Sequence, residues 1–250
     1  MIVSVLYYLV LIAFLIVYAV LISVAWLLTV WWDRRKVVIS AMTYVHAMML
    51  FWLAPGWRVR VEGQKNYDRK KPYVIICNHQ GMFDIPLMYA IRPNIRWVAK
   101  RELLKAPFVG HALLIHGDIL LKRGDAVSAR RMMIRAQQEL KLGVSVAIFP
   151  EGTRLKSGQM NRFKEGAFKL AKMAGVEILP VVLDGTANAF DGWKLKRPHT
   201  FRLHVLPPIP VETVCDTEVK ELTELAREMI RAEHRKMRPD LYEEELSGKE

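Results

Sequence analysis

The chain has 250 residues, enough for one membrane-attached segment and one sizeable domain with its own core. Lys and Arg outnumber Asp and Glu by 37 to 25, and the net charge of +12 is carried after residue 32, a balance that favours nucleic acid, a phospholipid surface or a phosphorylated substrate as partner. Two distant cysteines, Cys77 and Cys215, have neither CxxC nor zinc-like spacing, which argues against a disulfide framework or a structural metal and for a reducing, cytoplasm-facing domain.

Residues 2–32 contain no charge and exceed the roughly 20 residues that span a bilayer. The run is too long for a secretory signal, and neither a basic segment before it nor a small-residue cleavage site after it is present. Trp26, Trp31 and Trp32 followed by Asp33, Arg34, Arg35 and Lys36 read as an aromatic belt and a positive-inside flank, placing the rest of the chain on the cytoplasmic side of the cell membrane. A second apolar run, residues 37–57, would return the basic domain to the side of the N-terminus if it also spanned. It is therefore read as a helix in the interface or docked on the domain, with a shallow two-helix hairpin in one leaflet as the alternative. Residues 1–56 form the membrane-anchoring segment and 57–250 the folded domain.

From residue 57 onward, strand-like runs at 57–63, 72–77, 95–100, 118–123, 144–150, 176–183 and 200–207 alternate with helix-like segments. Those helices are expected at 101–115, 125–142, 163–174 and 216–237. Such alternation predicts an α/β domain with a mostly parallel central sheet flanked by helices. Ligands of such sheets gather beyond the carboxyl ends of the strands.

Three polar clusters follow strands in this way: Gly124 after the run at 118–123, and two longer ones. "NHQGMFD", residues 78–84, places His79 and Asp84 five apart, where only a chain that folds back lets carboxylate meet imidazole; Gly81 is the permissive residue for that turn. In a functional reading His79 is a general base and Asp84 its orienter; in a structural one Asp84 caps the helix that starts at "DIPLMYAI". "FPEGTR", residues 149–154, offers Gly152 for close backbone approach, the Thr153 hydroxyl and the planar fork of Arg154, suited to phosphate. Glu151 has Arg123 or a substrate hydroxyl as candidate partners. His46, His111 and His116 read as structural, and His199, His204 and His234 lack a carboxylate or cysteine at metal spacing. No GxSxG elbow, Walker loop or dinucleotide fingerprint is present.

These residues resemble the motifs of the glycerolipid acyltransferases: "NHQGMFD" is similar to their NHxxxxD motif and "FPEGTR" to their motif of the same sequence. "VAKRELLKAPFVGHALLIHGDILLKR", ending at Arg123, resembles the second motif, and "ILPVVL" with Pro180 the fourth, in matching order over residues 72–183. Leu155 departs from a common serine, and Gly117-Asp118 from a more apolar pair. The likeness is closest to members acting on 1-acylglycerol-3-phosphate. It implies acyl transfer from acyl-CoA or acyl carrier protein to the 2-hydroxyl of lysophosphatidate, with His79 taking the proton and no nucleophilic serine, metal or organic cofactor. It further implies that Lys100, Arg123 and Arg154 hold the acceptor phosphate while Glu151, Gly152 and Thr153 shape the turn. The rival readings are transfer to another lysophospholipid or a lyso-amino-acid lipid, and a noncatalytic membrane lipid-binding protein. Nucleic acid is disfavoured, because the basic residues are dispersed and the apolar anchor is long.

Overall fold

The computed structural model describes residues 2–91, 94–153 and 160–242. Strands β1 (Trp57–Glu62), β2 (Val74–Cys77), β3 (Ile95–Lys100), β4 (Ile119–Leu121), β5 (Ser145–Ile148), β6 (Ile178–Asp184) and β9 (His199–Val205) form one sheet in the order β1-β9-β6-β2-β5-β3-β4. A two-stranded hairpin, β7 (Phe190–Asp191) and β8 (Lys194–Leu195), lies between β6 and β9 in the chain. Every pairing in the large sheet is parallel except β6 with β9, so the expected mostly parallel α/β architecture is present.

The central strands are apolar without alternation because helices cover both faces. Val74 and Ile76 of β2 point into a core shared with α5 (Ala126–Lys141), α6 (Gly166–Ala174) and α8 (Val219–Met237). Ile75 and Cys77 point the other way, into a core that includes Tyr7 of α1 (Ile2–Thr29), Ala47 and Phe51 of α2 (Val37–Trp52) and Leu87 of α3 (Asp84–Met88). The edge strand β1 alternates buried and less buried residues, as half-covered strands do.

Two helices differ from the sequence reading. The segment 101–115 splits into a 3-10 turn, Arg101–Lys105, and α4, Val109–His116. Pro107 lacks an N–H and its ring forces the preceding Ala106 out of helical geometry, with ψ 125°. The segment 216–237 is present as α8, starting at Val219, and a short helix that the sequence reading did not include, α7, Val211–Asp216, precedes it, with Thr217 extended between them.

Helix α1 is long and apolar enough to cross a membrane. It also lies along the domain. Phe14 stacks on His46, the Tyr18 hydroxyl meets Thr43 at 3.0 Å, and Ile22 packs with Ile39, so α1 and α2 form an antiparallel hairpin. Near its start the Ser4 hydroxyl accepts from the Leu195 amide; near its end Ser23 is 2.8 Å from His111. The second apolar run is thus a helix docked on the domain, its Ala47 and Phe51 buried beside Trp57. The basic residues before it are also engaged. Arg35 and Lys36 donate to the carbonyls of Gly143 and Ile115, at the C-terminal ends of α5 and α4, where cations are favoured.

Candidate active site

Strand order brings the site together. Because β2 lies between β5 and β6, the loops that follow those two strands flank the loop 78–84 on either side. Asn78 closes the end of β2 onto β6, donating to the Leu183 carbonyl and accepting from its amide, each at 2.8 Å.

The loop then folds back as its spacing requires. His79 Nδ1 lies 2.6 Å from Asp84 Oδ2, which also accepts from the backbone amides of Gln80 at 2.7 Å and Gly81 at 2.9 Å. The carboxylate therefore satisfies the loop in front of α3 rather than capping that helix; Phe83 occupies the cap position. Thr186, in the loop after β6, donates to the other oxygen, Oδ1. A Cβ on Gly81 would lie 2.1 Å from the Thr186 carbonyl, so this position requires glycine for close approach and not for a left-handed turn.

Asp84 is fully buried, while the His79 side chain keeps 18% of its surface exposed. Its ring stacks on Phe149 at 4.0 Å, and Phe149 on Trp97 at 5.1 Å, so an aromatic column fixes the ring plane. With Nδ1 held by the carboxylate, Nε2 is left to accept a proton, and it has no hydrogen-bond partner among the described residues.

Glu151 finds its partners in the backbone. Its side chain is buried, and one oxygen accepts from the His79 amide at 2.8 Å while the other accepts from the Asn161 amide at 2.9 Å. The glutamate thus ties the two motif loops together instead of pairing with Arg123. Burial pushes its carboxyl above the usual range, against the lowering effect of those amide bonds. The thiol of Cys77, directly beneath, is pushed up by burial and by the nearby Asp84 and Glu151.

Gly152 adopts a left-handed φ of 72°, and a Cβ there would meet Lys164 Nζ at 2.9 Å, so its absence opens the turn beside a cation that sequence reading did not single out. Thr153 is exposed at the next position. Lys100 ends β3 and Arg123 follows β4, both exposed on the strand-end rim that carries His79. By sheet order Arg123 is three strands from β2, a lateral separation of about 14 Å at ~4.8 Å per strand. Arg154 and Leu155 lie outside the described residues. Asp118 has a structural use: it accepts from the Trp97 amide and pairs with His116, each at 2.8 Å. No group of His, Cys, Asp and Glu among the described residues is arranged to hold a metal.

Comparison with known proteins places these residues in context. A family model described as Acyltransferase matches residues 58–184. The human 1-acyl-sn-glycerol-3-phosphate acyltransferase alpha is 37% identical over 181 residues, covering 69% of this chain and 62% of the relative. The 1-acyl-sn-glycerol-3-phosphate acyltransferase of Borreliella burgdorferi is 34% identical over 181 residues, 72% of each chain. The chain thus spans about three fifths of the length of the mammalian relative, 62%, and somewhat more of the bacterial one. Among solved structures, the 1-acyl-sn-glycerophosphate acyltransferase PlsC from Thermotoga maritima superposes with a TM-score of 0.79 over 95% of both chains at 24% identity, a likeness of fold.

Proposed function

The chain belongs to the Acyltransferase family, and we propose that it transfers a fatty acyl group from acyl-CoA or acyl carrier protein to the 2-hydroxyl of lysophosphatidate, forming phosphatidate. The observation that carries this reading is the His79–Asp84 contact of 2.6 Å, with the second ring nitrogen directed away from the carboxylate on a partly open strand-end rim.

His79 Nε2 takes the proton of the acceptor hydroxyl as its oxygen attacks the thioester carbonyl, and Asp84 stabilises the imidazolium that forms. Collapse of the tetrahedral intermediate breaks the carbon–sulfur bond, and the imidazolium returns its proton to the departing thiolate. The acyl group passes directly between substrates, so no serine or cysteine nucleophile and no cofactor takes part. Backbone amides stabilise the oxyanion. Lys100, Arg123 and Arg154 hold the acceptor phosphate, Arg154 through its planar fork.

The uncharged α1 and the basic surface attach the domain to the cytoplasmic face of the membrane, where the acceptor, itself a membrane lipid, is presented. The test is an acyl-transfer assay with purified protein, acyl-CoA or acyl carrier protein as donor, and a panel of lyso-acceptors. Preference for lysophosphatidate supports the proposal; preference for another lysophospholipid or a lyso-amino-acid lipid overturns the acceptor, and no transfer at all overturns the reaction.

A further inference from the structure

Behind the catalytic pair, a chain of buried polar side chains crosses the domain to its last helix. His234 of α8 is buried, with Nδ1 2.7 Å from the Tyr242 hydroxyl and Nε2 2.7 Å from the Gln80 carboxamide. The other end of that carboxamide is 3.4 Å from the Thr186 hydroxyl, which donates to Asp84 Oδ1. Gln80 therefore meets Asp84 twice: directly through its backbone amide on Oδ2, and through Thr186 on Oδ1.

The proton inventory gives the chain a direction. A carboxylate only accepts, so the single Thr186 hydroxyl proton goes to Asp84, and the hydroxyl oxygen is free to accept from Gln80. Half a turn of the carboxamide, which leaves its heavy-atom positions unchanged, puts its N–H on Thr186 and its carbonyl on His234. His234 Nε2–H then donates to Gln80, and Tyr242 donates to Nδ1. Each donor along the chain then points towards Asp84. Burial pushes the His234 imidazole below its usual range; Asp184 and Asp240 act upward on it and Arg238 downward. A neutral ring supplies the one donor and one acceptor that this order needs.

We propose that Thr186, Gln80 and His234 are positioning residues for the acyl transfer, a hydrogen-bonded relay that fixes the rotation of the Asp84 carboxylate so that Oδ2 alone faces His79. The proposal rests on the reading of His79 as general base. Oδ2 already receives three donors, whereas among the described residues Thr186 is the donor to Oδ1. Without that hydroxyl the carboxylate can turn, and the imidazole loses its fixed tautomer and orientation. Through Gln80 and His234 the relay also ties the loop 78–84 to α8, more than 150 residues further along the chain, at a separation of 154.

Steady-state kinetics on the 250-residue chain test this. Thr186→Val is expected to lower kcat about tenfold to a hundredfold, the rate equivalent of one hydrogen bond to a charged group, with KM for both substrates unchanged and a lower unfolding temperature, because the buried carboxylate loses a donor. Thr186→Ser, which restores the hydroxyl, should recover most of the rate. His234→Leu should lower kcat less, and His234→Gln, which keeps a donor near the Nε2 position, should recover it. Because the relay acts through Thr186, the Thr186→Val/His234→Leu double variant should be no slower than Thr186→Val alone. Wild-type kcat in Thr186→Val, or fully additive losses, overturns the relay while an inactive His79→Ala leaves the base reading standing. An active His79→Ala sinks that reading and the relay with it. Should Thr186→Val fail to fold, the two His234 variants decide the matter.

Discussion

The Glu151 carboxylate accepts the backbone amide of His79 at 2.8 Å, although the residues are 72 apart in the chain. Through its second oxygen, on the Asn161 amide, it holds both motif loops at once. In Glu151→Gln one of those amides faces an NH₂ group instead of an acceptor. The expected cost is about 1–3 kcal/mol of stability for a buried donor left unsatisfied. Turnover should fall by about 10²-fold if His79 shifts by as little as ~1 Å. A variant with normal kcat and an unchanged melting curve would show that the clamp is dispensable.

His79→Ala should lose about 10²- to 10⁴-fold in kcat with the fold intact, as expected for removal of a general base. Asp84→Asn should lose a comparable amount, because the amide neither stabilises imidazolium nor accepts all three donors that converge on Oδ2. Circular dichroism alongside the rate assay separates loss of chemistry from loss of structure.

Arg123 and Lys100 stand exposed on the rim, at the ends of strands that lie three and two places from β2. Arg123→Ala should therefore raise the KM for lysophosphatidate, by about tenfold to a hundredfold for a lost charge-assisted contact, while the donor KM holds. Arg154→Lys should act in the same direction, since it keeps charge and loses the fork. A change confined to the donor KM would assign these cations to the acyl donor and overturn their role at the acceptor phosphate.

The depressed titration of His234 predicts a pH effect on stability. The unfolded chain takes up a proton on this residue near the ordinary imidazole value, which the buried ring resists. The unfolded state then binds more protons, so stability falls as pH drops through that range. Thermal melts at about pH 7.5 and about pH 5.5 should show a smaller drop for His234→Gln than for the parent. Equal drops would mean that other groups carry the acid sensitivity.

Removing residues 1–32 should do more than release the protein from membranes. Tyr7 packs against Trp57, and Ile22 against Ile39 and Ile115, so truncation uncovers core. In matched detergent the truncated chain should unfold at a lower temperature, by about 2–4 °C for each kcal/mol lost. An identical melt would show that α1 contributes nothing to the domain. In sealed vesicles, a single cysteine introduced beyond Arg238 should label from the cytoplasmic side; labelling only from the outer side would reverse the orientation.

The alternation of apolar runs with amphipathic segments was enough to determine an α/β sheet, because backbone period and burial are local properties of the chain. The His79–Asp84 meeting was legible for the same reason: five residues with a glycine between them can close on themselves by turn geometry alone. Pro107, which breaks the segment 101–115, carried a local signal of equal strength. The roles of Glu151, Thr186 and His234 were decided by tertiary structure. Their partners lie 72, 102 and 154 residues away, and they meet only because β2 is inserted between β5 and β6 and α8 crosses the same core. Strand order leaves no periodic trace in a sequence, so the backbone partners that make Glu151 a clamp between loops could not be read from its motif. A histidine without a partner at metal spacing became, by the same packing, part of the chain of hydrogen bonds behind His79 and Asp84.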